Sequence, residues 1–111
     1  MSKFLKANEI INKGSESRYN FQFLSKMQIF SQTTSTTRHG KPYLVISMRD
    51  ITGNISNINK WIDNNDDLEK YQEILKIGNV VEIYSFYSTL QIWILSVNYL
   101  IILMILSYLL L

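Results

Sequence analysis

Gly40-Lys41-Pro42-Tyr43-Leu44-Val45-Ile46-Ser47-Met48-Arg49-Asp50-Ile51-Thr52-Gly53-Asn54-Ile55 is the stretch whose reading decides the fold. Over residues 42–49 the pattern alternates. Leu44, Ile46 and Met48 point one way; Tyr43, Val45, Ser47 and Arg49 point the other. Successive side chains of a strand face opposite sides, so this is a strand with one apolar and one mixed face. Asp50 then opens a turn: its carboxylate accepts local backbone hydrogen bonds, and Gly53 tolerates the backbone of a tight reversal. The chain returns over residues 55–62. Its apolar residues, Ile55, Ile58 and Ile62, break the period of two, and a β-bulge restores it.

Working outward, residues 19–34 read as a first long strand, carried by Tyr19, Phe21, Phe23, Ile29 and Phe30. The polar run 31–40 reads as a loop, or as a strand end plus a loop. In residues 1–19, Phe4, Leu5, Ile10 and Ile11 would line one side of a short helix. Gly14-Ser15-Glu16-Ser17 interrupts it, so a weakly ordered polar lead-in is expected. Downstream, Asn64-Asn65-Asp66-Asp67 starts a helix over 66–77. Leu68, Tyr71, Ile74 and Leu75 recur at helical spacing, and Gly78 follows the end. Residues 80–87 make a fourth strand with Val81, Ile83 and Ser85 on one side. After a turn at Ser88-Thr89, residues 90–98 make a fifth, with Gln91, Trp93, Leu95 and Val97 on one side and Leu90, Ile92 and Ile94 on the other. The expected fold is therefore all-β. It is a five-stranded barrel of the oligonucleotide-binding (OB) type with one helix between strands three and four, plus an apolar C-terminal tail. The chain divides into a lead-in (1–19), the OB domain (20–98) and the tail (99–111).

Three short motifs carry a resemblance: Gly40-Lys41-Pro42-Tyr43-Leu44, then Asp50-Ile51-Thr52-Gly53-Asn54-Ile55 with Trp61 beyond it, and Gly78-Asn79-Val80-Val81. Together with Gln91 they resemble the OB-fold nucleic-acid-binding domain at the front of certain bacterial 3′–5′ exoribonucleases and of related anticodon-binding-like modules. The resemblance spans roughly residues 20–98. Trp61 falls one residue later after Gly53 than in that pattern. The family's metal-dependent phosphohydrolase domain has no counterpart, because the sequence holds no His-Asp cluster. The resemblance implies binding of a nucleic-acid strand without its hydrolysis.

Composition narrows the function from another side. With 111 residues and 47% hydrophobic content, the chain builds one core and not two. It has no cysteine, which removes disulfides and thiolate metal sites, and a single histidine, His39, which cannot build a zinc site. No Ser-His-Asp or Cys-His arrangement and no Gly-rich phosphate loop is present, so neither an enzyme nor a cofactor is expected. The acids Asp63, Asp66 and Asp67 read as helix capping before they read as a cation site. Residues 1–60 hold nine basic against three acidic side chains, a balance of +6; residues 61–111 hold two against six, a balance of −4. A basic half suits a phosphate-bearing partner; equally, it is a solvated surface of uneven charge.

On an OB barrel the ligand crosses strands two and three, between the loops joining strands one–two and four–five. Cations meet phosphates there, and aromatic rings stack on bases for about 1–3 kcal/mol each. The candidates are Arg38 and Lys41 in the first loop, and Tyr43, Ser47 and Arg49 on strand two. Lys60 and Trp61 come from strand three, and Tyr84 and Phe86 lie beside the second loop. Each has a structural alternative. Trp61 reads first as core, Tyr43 as a half-buried barrel residue, and Arg49 as an ion-pair partner of Asp50.

The final stretch needs its own reading. From Leu90 to Leu111 no residue is charged, and as a helix these 22 residues would reach about 33 Å, enough for a bilayer core. Strand five needs the first of them, which leaves the segment from Tyr99 to Leu111, about 20 Å long as a helix. That segment is expected to pack on the barrel or a partner, to attach to a membrane, or to be an aberrant terminus; exposed, it would drive self-association. The overall expectation is a cytoplasmic single-stranded DNA- or RNA-binding module. The alternative is a membrane-anchored or protein-protein interaction module that uses the tail.

Overall fold

A computed structural model describes residues 3–16, 20–88 and 91–98. The tail 99–111, and the starts expected for strands one and five at Tyr19 and Leu90, lie outside the described residues. The order is helix α1 (Ala7–Glu16), strands β1 (Phe21–Thr36), β2 (Pro42–Asp50) and β3 (Gly53–Trp61), helix α2 (Asn65–Ile74), then β4 (Val80–Tyr87) and β5 (Ile92–Asn98). β1 makes closure possible through its 16 residues. Positions 21–28 pair with β4 and positions 28–36 with β2, both antiparallel. β3 joins β2 antiparallel and β5 parallel, and β5 joins β4 antiparallel. The order β1-β2-β3-β5-β4 thus returns to β1, and the sheet closes in a ring. A closed sheet leaves no long edge to template association.

Alternation fills the ring. Phe23, Met27 and Ile29 from β1, Leu44, Ile46 and Met48 from β2, Ile55 and Ile58 from β3, Val81 and Ile83 from β4, and Ile92 and Ile94 from β5 all point inward and are buried. Each such side chain contributes about 1.5–3 kcal/mol through burial. Ser25 and Ser85 also face inward, fully buried, and among the described residues neither hydroxyl has a hydrogen-bond partner.

Three bulges set the register. In β1 the pairing steps from Ile29↔Met48 to Ser31↔Ser47, which leaves Phe30 as the extra residue. In β3 the pairing steps from Ile46↔Ile58 to Met48↔Ile55, so β3 carries one extra residue; Asn57, at φ 59°, adopts the left-handed backbone there. This is the bulge expected from the broken period: it returns both Ile55 and Ile58 to the core. In β5 the pairing steps from Tyr84↔Ser96 to Ser85↔Ile94, which leaves Leu95 as the extra residue. Val97 therefore turns in against the core rather than lying on the Trp93 side, as plain alternation would have it.

Three further expectations change. First, of the two readings of the run 31–40 it is the strand end plus a loop that holds: residues 31–36 pair one by one with β2, so the strand runs two residues past the expected 34. The connection shrinks to Arg38-His39-Gly40, closed by Thr37 N–H donating to Lys41 O (2.7 Å) and Gly40 N–H to Thr37 O (2.9 Å). Gly40 sits at φ 81°, which a glycine adopts without strain. Second, α2 ends at Ile74, short of the expected 77. Asn64 caps its start by accepting from Asp67 N–H (2.9 Å), and Gln32 of β1 donates to the Gln72 and Leu75 carbonyls at its end (2.9 Å each).

Third, the lead-in is not weakly ordered: it contains α1. The caps come from the β2–β3 turn. Ala7 N–H donates to Asp50 Oδ2 (2.9 Å) and Asn8 N–H to Thr52 Oγ1 (3.1 Å). Ala7 and Ile10 are buried in the core, and Leu5 N–H bonds Leu24 O of β1 (2.8 Å). Gly14 lies inside the helix and does not end it. A Cβ at that position would press into the ring and hydroxyl of Tyr87, which itself stacks on Phe21 (centroids 4.7 Å apart).

Candidate functional site

Inward alternation leaves a definite set of rings outside. On β2, Tyr43 precedes buried Leu44 and faces out, directly opposite Trp61 of β3. Their ring centroids are 5.3 Å apart, tilted by 53°. Trp61 in turn stacks on Trp93 of β5, 4.8 Å away and within 13° of parallel. Trp93 pairs with Phe86 on β4. An aromatic row therefore runs across four strands: Tyr43, Trp61, Trp93, Phe86. Trp61 is 48% exposed, which corrects its reading as a core residue: the β3 bulge and the pairing with Tyr43 put it outside.

The row lies between two connections. Tyr43 follows the turn that carries Arg38, His39 and Lys41, all exposed. Trp93 and Phe86 flank the segment joining β4 to β5, where Ser88 N–H bonds Gln91 O (2.8 Å). Beneath the row, Asn59 donates to Ile92 O (3.3 Å). That bond ties β3 to β5 where their parallel register comprises only Ile58↔Ile92 and Asn59↔Trp93.

The other candidates lie apart from the row. Ser47 and Arg49 share the outer face of β2 with Tyr43, about 13 and 20 Å further along the strand. Arg49 Nε donates to Gln28 Oε1 (3.1 Å), and its guanidinium lies over the Phe30 ring (5.6 Å). Asp50, the expected ion-pair partner of Arg49, turns instead to α1 and to Thr52, whose N–H (2.7 Å) and hydroxyl both reach Oδ1. Partial burial alone would raise the Asp50 carboxyl. Hydrogen bonds from the Thr52 hydroxyl and from the Ala7, Thr52 and Gly53 N–H groups outweigh it and hold the carboxyl below its ordinary value. Lys60 sits opposite inward-facing Leu44 and turns toward α2, with its ammonium 4.4 Å from the Tyr71 ring centroid. Tyr84 faces out, two residues from Phe86, and its hydroxyl bonds Gln22.

No known protein family, curated protein or solved structure matches the chain. The site therefore stands on its own geometry. It offers π-faces and edges in one row, with Arg38 and Lys41 at one end and a mixed track of Val45, Ser47 and Arg49 along β2 leading away from it. Among the described residues no group of three His, Asp or Glu side chains comes together to hold a metal ion. No helix among them is long and apolar enough to cross a membrane. Trp93 was the residue the sequence reading missed. The signal was present: of the two sides of strand five, the one holding Ile92 and Ile94 is the more uniformly apolar, which leaves Trp93 to the outside.

Proposed function

We propose that the chain is an OB-type barrel that binds single-stranded nucleic acid across its β2–β3–β5 face, without catalysing a reaction. The observation that carries this reading is the outward row Tyr43–Trp61–Trp93, set between the 37–41 and 88–91 connections. The strand order β1-β2-β3-β5-β4, with a helix between the third and fourth strands, supports the fold half of the reading. Exposed rings stack on any base, and neighbouring cations attract the backbone, so such a surface favours single strands of loosely specified sequence.

The test is a titration of the intrinsic tryptophan fluorescence with an oligothymidylate at low salt, in the wild type and in Tyr43→Ala and Trp61→Ala variants. Quenching and saturation are expected. Each variant should weaken binding by about 1–3 kcal/mol, or roughly 5- to 150-fold, with an unchanged far-UV spectrum. Absence of binding by folded protein in excess overturns the proposal.

A further inference from the structure

The outer face of β2 does not end at the aromatic row. It leads to Arg49, and beyond Arg49 lies a shallow depression of about 550 Å³ on the opposite flank of the ring, where β1 passes from β4 to β2. Lys26 and Gln28 of β1, Arg49 and Asp50 of β2 and Val80 of β4 line it, with the fully exposed Ile51 at its rim. Lys26 and Arg49 are both exposed, and among the described residues neither makes an ion pair. The nearby carboxylates keep their charge, but neither pairs with Lys26 or Arg49. Asp50 accepts from Ala7, Thr52 N–H and the Thr52 hydroxyl, and Glu82, opposite Lys26, accepts from Asn98. Gln28 holds Arg49 through Nε, so the terminal guanidinium nitrogens stay available.

We propose that this depression is a second, electrostatic subsite, in which Lys26 and Arg49 take phosphodiester groups of the strand whose bases stack on the aromatic row. The proposal rests on the nucleic-acid reading above and adds a path to it. From Tyr43 to Arg49 is about 20 Å along β2, or about six nucleotides at the roughly 3.4 Å per nucleotide of a stacked strand. A short oligonucleotide covers the row alone; a longer one passes Ser47 and Arg49 and reaches Lys26.

The experiment compares oligothymidylates of about 4 and about 12 nucleotides, within the range of site sizes one such fold covers. Affinity is measured across a salt series for the wild type, Trp61→Ala, the double variant Lys26→Ala/Arg49→Ala, and Lys26→Arg. The 12-mer should bind more tightly than the 4-mer. The double variant should reduce the slope of log affinity against log salt by about 1.4 for the 12-mer, at about 0.7 per lost contact, and leave the 4-mer slope unchanged. Lys26→Arg should keep the wild-type slope. Equal slopes in wild type and double variant, or equal losses for both lengths, overturn the second subsite while binding sensitive to Trp61→Ala leaves the stacking reading standing. Failure of the wild type to bind either length overturns both readings.

Discussion

Asp50→Ala should detach α1 from the ring, and the structure sets the cost. One carboxylate serves Ala7 N–H at the helix start, Thr52 N–H and the Thr52 hydroxyl, with the Gly53 N–H beside them. Loss of a helix cap costs about 0.5–2 kcal/mol, and each hydrogen bond to a charged group is worth about 1.5–3 kcal/mol when desolvated. Asp50 is only half-buried, so water compensates much of the second contribution. About 2 kcal/mol in total is expected, a fall in Tm of about 8–16 °C for a domain of this size. Asp50→Asn keeps one acceptor oxygen and should lose about half as much. The carboxyl titrates below its ordinary value when folded, so its contribution is complete above the ordinary carboxylate range, near pH 4, and disappears as pH falls through the lower, folded value. Urea unfolding monitored by far-UV circular dichroism from neutral to acid pH measures both effects. Hydrogen exchange at Ala7 and Asn8 reports the helix itself. If Asp50→Ala unfolds at the wild-type midpoint, or if its stability follows the same acid profile as the wild type, the carboxylate does not hold the helix and the reasoning fails.

Other substitutions test the packing. Gly14→Ala adds a methyl group where the Tyr87 ring already lies, and should lower stability by about 1–3 kcal/mol despite the better helix propensity of alanine; a gain in Tm would refute the close approach. Ser85→Ala removes a buried hydroxyl with no partner among the described residues and should be neutral or stabilise by up to about 1 kcal/mol in urea unfolding. A clear loss would mean that the hydroxyl is satisfied. Asn57→Val forces a β-branched residue into the left-handed backbone of the β3 bulge and should cost about 1–2 kcal/mol, whereas Asn57→Gly should be tolerated; equal melting curves for the two would remove the bulge from the account.

The parts legible in the sequence were those whose causes are local. The β2–β3 hairpin was readable because alternation and turn chemistry lie within 15 residues of one another, and α2 because Asn64 caps it from the adjacent position. α1 was not, because its cap, Asp50, lies 43 residues further along the chain; without that partner Gly14 reads as a stop signal. The run 31–40 left loop and strand end both open because it lacks an apolar period. Pairing with β2 and the bonds from Gln32 to α2 hold residues 31–36 as strand, and neither is encoded nearby. Of the candidate site, Tyr43, Arg38 and Lys41 followed from the hairpin. Lys60 and Trp61 depended on which residue of β3 sits opposite Leu44, and a single bulged residue decides that.

The aromatic row also has a structural consequence. The parallel β3–β5 joint has the shortest register in the ring, two residue pairs, against six or more at each of the other four joints. Trp61 and Trp93 stack across this joint, above the bond from Asn59 to Ile92. Aromatic pairs of this kind add about 0.5–1.5 kcal/mol beyond the area they bury, so the proposed binding surface helps close the ring at its weakest place. A ligand stacked there would clamp the same joint. Amide exchange in residues 58–61 and 92–94 should then slow on binding an oligothymidylate of about 4 nucleotides, which covers the row alone, more than exchange in the β1–β4 joint on the far side. Uniform protection around the ring would separate the two roles, leaving the stack to hold the fold and some other face to hold the strand.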